Sequence, residues 1–369
     1  MVSAYQTGNA KYKPETFPGK LGIEANFHGG EIFKHTPFFK STIDGPTFAG
    51  ELCVFKQTNG DKLWQRKLHY PEIGGGLIML FHHNKDTVGN GFAAYMYWKY
   101  ALVRSRVVDF NMKFGLGLAY STKKYDAINN PDGNALGSKW NAYVQMRLGL
   151  EWKVAPQIRL VTAVAFSHYS NGAIKLPNLG INTPTGVIGL IYYPGKNPMV
   201  VNRDTFNKRP ALKNEVYTKA TVGFLDITKD KNDKIWLMQS TSIGYSRYIN
   251  ITNKMSFGTT LEFNFGFPHV YVNTLEVEKK LFKKASTELS VNVSDEILIG
   301  RLALHMEAGV YVYHTYRMPL PIYFRIGGAC YLPEMGKKKR SQAFILGNVK
   351  THGSVAQLVE GGIGTTWKF

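Results

Sequence analysis

FNMKFGLGLAY, residues 110–120, decides the fold. Side chains two residues apart on a strand point the same way. Phe110, Met112, Phe114, Leu116, Leu118 and Tyr120 therefore share one face, and Asn111, Lys113, Gly115, Gly117 and Ala119 share the other. The next run repeats the pattern, with Trp140, Ala142, Val144, Met146, Leu148 and Leu150 opposed to Asn141, Tyr143, Gln145, Arg147 and Glu151. Further on, Phe257, Leu261, Phe263 and Phe265 oppose Ser256, Thr260, Glu262 and Asn264. Leu302, Leu304, Met306, Val310 and Val312 likewise oppose Arg301, His305, Glu307 and Tyr311.

A soluble β-sandwich would also alternate, with its apolar face in the core and its polar face in water. Three features favour strands that cross a membrane. The runs reach about ten residues or more, tyrosine and tryptophan gather near their ends, and the chain finishes on GIGTTWKF, an amphipathic stretch closed by Phe369. No stretch approaches the roughly 18 apolar residues of a transmembrane helix, while 37 glycines and 13% aromatics suit a barrel.

Counting alternating segments predicts a single all-β, antiparallel transmembrane barrel of about 12–14 strands over residues 1–369, with residues 1–20 as a periplasmic extension. Segments 29–48, 122–137, 169–184, 267–298 and 333–355 then read as long outer loops. The joints near Ser105, Ala155, Thr252 and Met318 read as short inner turns. Residues 58–75 and 194–213 are long on the inner side, so either the count is off by two or they are periplasmic embellishments. The N-terminus carries no leader pattern, so an outer-membrane destination implies a signal peptide already removed.

The net charge is +19, from 45 Lys and Arg against 26 Asp and Glu. The basic residues are scattered through turns and build no nucleic-acid module, so no nucleic acid is expected as a partner. The phosphate-bearing surface of an outer leaflet fits them better. Lys337, Lys338, Lys339 and Arg340 form the densest basic cluster, and LEVEKKLFKKAS from Leu275 reads as a short amphipathic helix. His28, Glu31 and His35 lack a metal-ligand spacing, and no metal site is expected. Cys53 and Cys330 lie far apart inside strands, where a disulfide is possible and not favoured.

HYSNGAIKLPNLGIN, residues 168–182, carries the chemistry. Thr162, Val164, Phe166, His168 and Ser170 share one strand face, so an imidazole stands beside a hydroxyl on a rigid element. A hydroxyl is a weak nucleophile until an adjacent base takes its proton, which makes this spacing the start of a hydrolase site. The pair would look toward lipid at the level of the outer leaflet.

The same motif, with its His-x-Ser-Asn start and Pro-Asn-x-Gly centre, resembles the signature of the PagL-type lipid A 3-O-deacylases, the acyloxyacyl hydrolase family of outer-membrane barrels. GLGLAYSTKKYD from Gly115, NALGSKWN from Asn134 and the closing THGSVAQLVEGGIGTTWKF resemble longer members of that family. The resemblance implies an ester hydrolase that removes a 3-hydroxyacyl chain from the glucosamine of lipid A without a cofactor. Ser170 is then the nucleophile, His168 the general base, Asn178 and the Gly172 backbone N–H the oxyanion donors, and Asn171 a supporting motif residue. Asn182 stands where founding members carry a glutamate that orients the histidine, so Asp126 or Asp132 is a candidate substitute. The implied partners are lipopolysaccharide and outer-membrane lipid, with a homodimer left open. The competing reading is a non-catalytic outer-membrane barrel, a porin or a lipopolysaccharide-binding structural protein.

Overall fold

The computed structural model describes residues 16–195, 198–201, 214–226, 235–266, 287–314, 321–336, 340–353 and 355–369. Its first elements are β1 (Thr16–Phe17), β2 (Leu21–Gly30), β3 (Thr47–Gln57), the short helix α1 (Leu63–Lys67), β4 (Glu72–His82), β5 (Gly91–Arg104) and β6 (Val108–Ser121). There follow β7 (Trp140–Ala155), β8 (Ile158–Ser170), β9 (Ile181–Tyr192) and β10 (Met199–Val200). The remainder comprises β11 (Asn214–Asp226), β12 (Ile235–Asn250), β13 (Asn253–Asn264), β14 (Thr287–Ile299), β15 (Leu302–Tyr313), β16 (Ile322–Tyr331), β17 (Ser341–His352) and β18 (Val355–Lys368).

The all-β antiparallel barrel class holds, and the expectation of one barrel is corrected. The strands close two separate eight-stranded barrels, β2–β9 and β11–β18. β2 pairs with β9 from Ile23↔Tyr192 to Gly30↔Thr185, and β11 pairs with β18 from Glu215↔Lys368 to Phe224↔Val359. Between them β1 and β10 form a small two-stranded sheet. The count of about 14 lacked β14 and β17, which had been absorbed into the loops 267–298 and 333–355. Restoring β14 reverses the direction of later strands relative to that count, so β15 ends and β16 begins on the outer side, while the joint around Met318 itself lies outside the described residues. The long inner segments prove to be the α1 connection between β3 and β4 and the link between the two barrels. Residues 1–15, the Leu275 segment and Lys337, Lys338 and Lys339 lie outside the described residues.

The strand faces explain both the alternation and the missed strands. Leu118, Met96 and Val164 point outward and are 63%, 65% and 63% exposed, the face that lipid covers. The opposite face turns into the barrel and is buried, even where it is charged. An eight-stranded barrel is just wide enough for side chains to fill. In the first barrel Lys113 and Arg147 lie 3.3 and 3.6 Å from Glu51, whose other oxygen accepts from Gln145 at 2.8 Å. Lys99 pairs with Glu151 and, at 2.7 Å, with Glu72. In the second barrel Arg325 faces Glu262, Glu307 and Glu360, while Lys219 and Lys254 pair with Glu307 and Glu296. These lumens are packed with paired charges, an arrangement unlike the water-filled lumen of a porin. The glycines of FNMKFGLGLAY serve that packing: a Cβ on Gly115 would sit 2.7 Å from the Tyr95 ring.

The outward faces of β3–β6 and β15–β17 border a common apolar groove of about 900 Å³, lined among others by Leu52, Leu77, Met96, Leu118, Leu304 and Ile345. Cys53, buried in the first lumen, and Cys330 are both free thiols.

Candidate active site

β8 delivers His168 and Ser170 to the outward face of the first barrel, since Ser167 and Tyr169, which alternate with them, turn into the lumen, 1% and 0% exposed. β9 returns alongside in a register that pairs His168 directly with Asn182. On the other flank β7 sets Ala142 opposite Ser170 and Val144 opposite His168. The neighbour beside Ser170 on this flank is therefore no larger than a methyl group.

The three side chains form one directional chain. The Ser170 hydroxyl lies 3.0 Å from His168 Nε2, and His168 Nδ1 lies 2.6 Å from Asn182 Oδ1. Asn182 Nδ2 lies 2.7 Å from Nδ1 of His35. An amide nitrogen can only donate and its oxygen only accept. With Asn182 Nδ2 donating to His35, Oδ1 faces His168 and accepts its Nδ1–H. Nε2 is then the imidazole's lone-pair nitrogen, turned toward the serine.

His35 is the member of this chain that sequence reasoning did not find. In the sequence it stands near His28 and Glu31 without a metal-ligand spacing, and His28 points into the lumen toward Thr185 (3.2 Å) and Glu51. The segment after β2 brings His35 to the site by running along β9: the Phe33 N–H donates to the Asn182 carbonyl at 2.8 Å, and Glu31 N–H donates to Pro184. No spacing rule connects His35 to the motif, because the contact depends on how an outer loop lies.

Asp126 and Asp132 are not the partners of His168. Asp126 receives the Asn129 and Ile128 backbone N–H groups at 2.8 and 2.9 Å, which hold its exposed carboxyl below the usual range. Asp132 offers its backbone carbonyl to Ser41 at 2.8 Å.

The loop from 171 to 180 folds over the pair. Asn171 staples its turn: Nδ2 donates to the Lys175 carbonyl at 2.9 Å and to Ser138 at 3.0 Å, and Oδ1 accepts the Lys175 N–H. Asn178 Oδ1 accepts the Asn171 N–H at 3.0 Å, which commits the oxygen to the loop and leaves Nδ2 as the donating end. Gly172 and Ala173 both lie in the left-handed region, at φ 61° and 68°. The loop is tied to its neighbour by the Gly180 N–H, which donates to Ala135 at 2.9 Å, and by a bridge between Leu136 and Asn178.

Residues 54–190 match the profile of the lipid A 3-O-deacylase (PagL) family, and residues 214–369 match that of the acyloxyacyl hydrolase C-terminal domain. The chain belongs to the PagL lipid A 3-O-deacylase family. The first match ends within β9 and the second spans β11–β18, so each profile falls on one barrel. As a member of the PagL family the chain is an ester hydrolase on an antiparallel β-barrel scaffold.

Among solved structures it is similar to the outer membrane enzyme PagL, at 18% identity over 46% of this chain and 97% of that one, with a TM-score of 0.33. It is also similar to Neisserial surface protein A (9% identity, 47% and 97% coverage, TM-score 0.33). A third is the N-terminal β-barrel domain of Pseudomonas aeruginosa OprF (10%, 48% and 100%, 0.29). No curated protein matches the chain.

Within the PagL motif, Gly180 has a requirement that the geometry makes explicit. Its φ is +75°, and a Cβ there would lie 2.6 Å from His168 Cε1 and 3.3 Å from Ser170 Cβ. Gly180→Ala is expected to push the imidazole off the hydroxyl and to lower kcat/KM on the order of a hundredfold. The heat-modifiable migration of the folded barrel should be retained. Wild-type turnover in this variant would mean that His168 is not held where the reaction occurs.

Proposed function

We propose that the protein hydrolyses a 3-hydroxyacyl ester of lipid A from within the outer leaflet, with Ser170 as nucleophile. The observation that carries this reading is the Ser170–His168–Asn182 chain on an outward barrel face, inside a PagL-family motif. His168 Nε2 takes the hydroxyl proton as Ser170 Oγ attacks the ester carbonyl. Asn178 Nδ2 and the Gly172 N–H donate to the oxyanion of the tetrahedral intermediate. The intermediate collapses as the imidazolium returns its proton to the departing sugar oxygen, leaving an acyl ester on Ser170. Water, activated by the same imidazole, then attacks the acyl-enzyme and releases the 3-hydroxy fatty acid.

Asn182 differs from a carboxylate in this scheme. Its carbonyl holds His168 in the productive tautomer, as the amide does in Cys-His-Asn hydrolases, and supplies no full charge to the imidazolium. His35 contributes by fixing which end of the Asn182 amide faces His168. Exposed lysines on the same end, Lys34, Lys123, Lys124 and Lys139 among them, provide counter-charge for a phosphorylated glycolipid.

The test is mass spectrometry of lipid A after incubation with the detergent-refolded full-length chain. The expected result is loss of one hydroxyacyl group, with release of the free acid. Lipid A of unchanged mass in the presence of a fully folded protein would sink the proposal and favour the non-catalytic alternative.

A further inference from the structure

The catalytic turn is bound to the second barrel. β11 and β18 stop pairing at Phe224↔Val359, two residues short of the end of β11. Beyond that point the first barrel's loop takes over: the Asp226 N–H donates to the Ala173 carbonyl at 2.8 Å, and the Leu176 N–H donates to Asp226 Oδ2 at 3.1 Å. Val359, on the outward face of β18, packs so closely on Gly172 that a Cβ there would lie 2.2 Å from Val359 Cγ2. These contacts bracket Gly172 and Ala173, the pair of left-handed residues that aim the Gly172 N–H. An alanine at positive φ is strained, so the turn needs outside support to keep this shape.

We propose that the C-terminal barrel works as a clamp on the oxyanion turn, with Asp226 as its positioning residue. Asp226 touches no reacting atom in this scheme. It accepts from one end of the 173–176 turn and donates to the other, so the N–H of Gly172 stays fixed relative to Ser170. This deepens the proposed function and rests on its assignment of Gly172 as an oxyanion donor. It gives the second barrel a part in the same reaction that the first barrel's residues perform.

The experiment compares full-length wild type, Asp226→Ala and Asp226→Asn by two readouts: kcat and KM for lipid A deacylation, and amide hydrogen exchange of the peptide covering 171–180. Asp226→Ala removes the acceptor for Leu176 and is expected to lower kcat on the order of tenfold to a hundredfold, with KM within about twofold. It should also speed exchange in that peptide. Asp226→Asn keeps an acceptor oxygen and is expected to restore both readouts.

Exchange unchanged in Asp226→Ala would overturn the clamp, as would wild-type kcat in a variant whose turn has loosened. Equal losses in the alanine and asparagine variants would overturn it too. A wild type inert on lipid A, with exchange still faster in Asp226→Ala, would sink the catalytic reading and leave the clamp standing. Should Asp226→Ala fail to refold, Gly172→Ala takes its place, read by exchange alone. The added methyl meets Val359, so its effect on the turn should be relieved by Val359→Ala in the other barrel, and no relief would overturn the cross-barrel contact.

Discussion

Ser170→Ala in the refolded full-length protein is expected to reduce ester hydrolysis by a factor on the order of 10⁴ or more, with the barrels folded as before. The expectation follows from position. Ser170 lies 3.0 Å from His168 Nε2 on an outward face, and its Ala142 neighbour across β7 has no side chain able to replace the hydroxyl. His168→Ala should cost about as much, because the hydroxyl without its base is a poor nucleophile. The double variant should lose little beyond either single one, since the two groups act as a unit. Release of hydroxy fatty acid, followed by mass spectrometry, checks all three. Substantial turnover by Ser170→Ala would require another nucleophile and remove the assignment.

Arg325→Met should have the largest effect on stability. The Arg325 guanidinium is 1% exposed at the centre of the second barrel, beside Glu262, Glu307 (2.6 Å) and Glu360 (2.8 Å). Methionine fills much of the volume and supplies no charge. Lys350 and Lys219 would still face Glu262 and Glu307, but among the described residues Glu360 would keep only its weaker partners, the Thr221 hydroxyl at 3.0 Å and the Asn348 amide at 3.4 Å. Breaking a buried ion network from one side costs about 3–5 kcal/mol. The urea midpoint for folding into lipid vesicles should fall accordingly. Arg325→Met with Glu360→Gln should recover part of the loss, because the carboxylate left without its cation becomes neutral. An unchanged midpoint would show that the network contributes nothing to holding the barrel.

The strands were legible where a continuous apolar outer face alternates with the lumen face, even where the lumen face carries Lys113, Arg147, Glu151 or Glu307. Asn111, Gly115 and Ala119 of β6 stand out cleanly against an apolar partner face. They were not legible in β14, where Asp295 interrupts the outer row of Leu289, Val291 and Val293 after only three apolar residues. In β17, Phe344 and Leu346 on the lumen face and Gly347 on the outer face blur the alternation. The lumen charges of both strands are buried and held by partners on distant strands, which local periodicity does not contain. Closure is equally non-local: nothing in Leu190 or Tyr192 announces that β9 turns back to β2 rather than onward to another strand.

The site behaved differently because its members are neighbours in sequence and in register. His168 and Ser170 are two residues apart on one strand, and Asn182 meets His168 across a single hairpin. His35 and Asp226 come from outside that hairpin, so the motif gave no sign of either.

The outward placement of Ser170 has a kinetic consequence. In the proposed reaction a fatty ester reaches this hydroxyl by sliding sideways in its own leaflet, so the concentration that matters is counted per area. Turnover should therefore track the mole fraction of substrate among its amphiphilic neighbours, and diluting the membrane with inert lipid should slow the enzyme even when the amount of substrate per volume is unchanged.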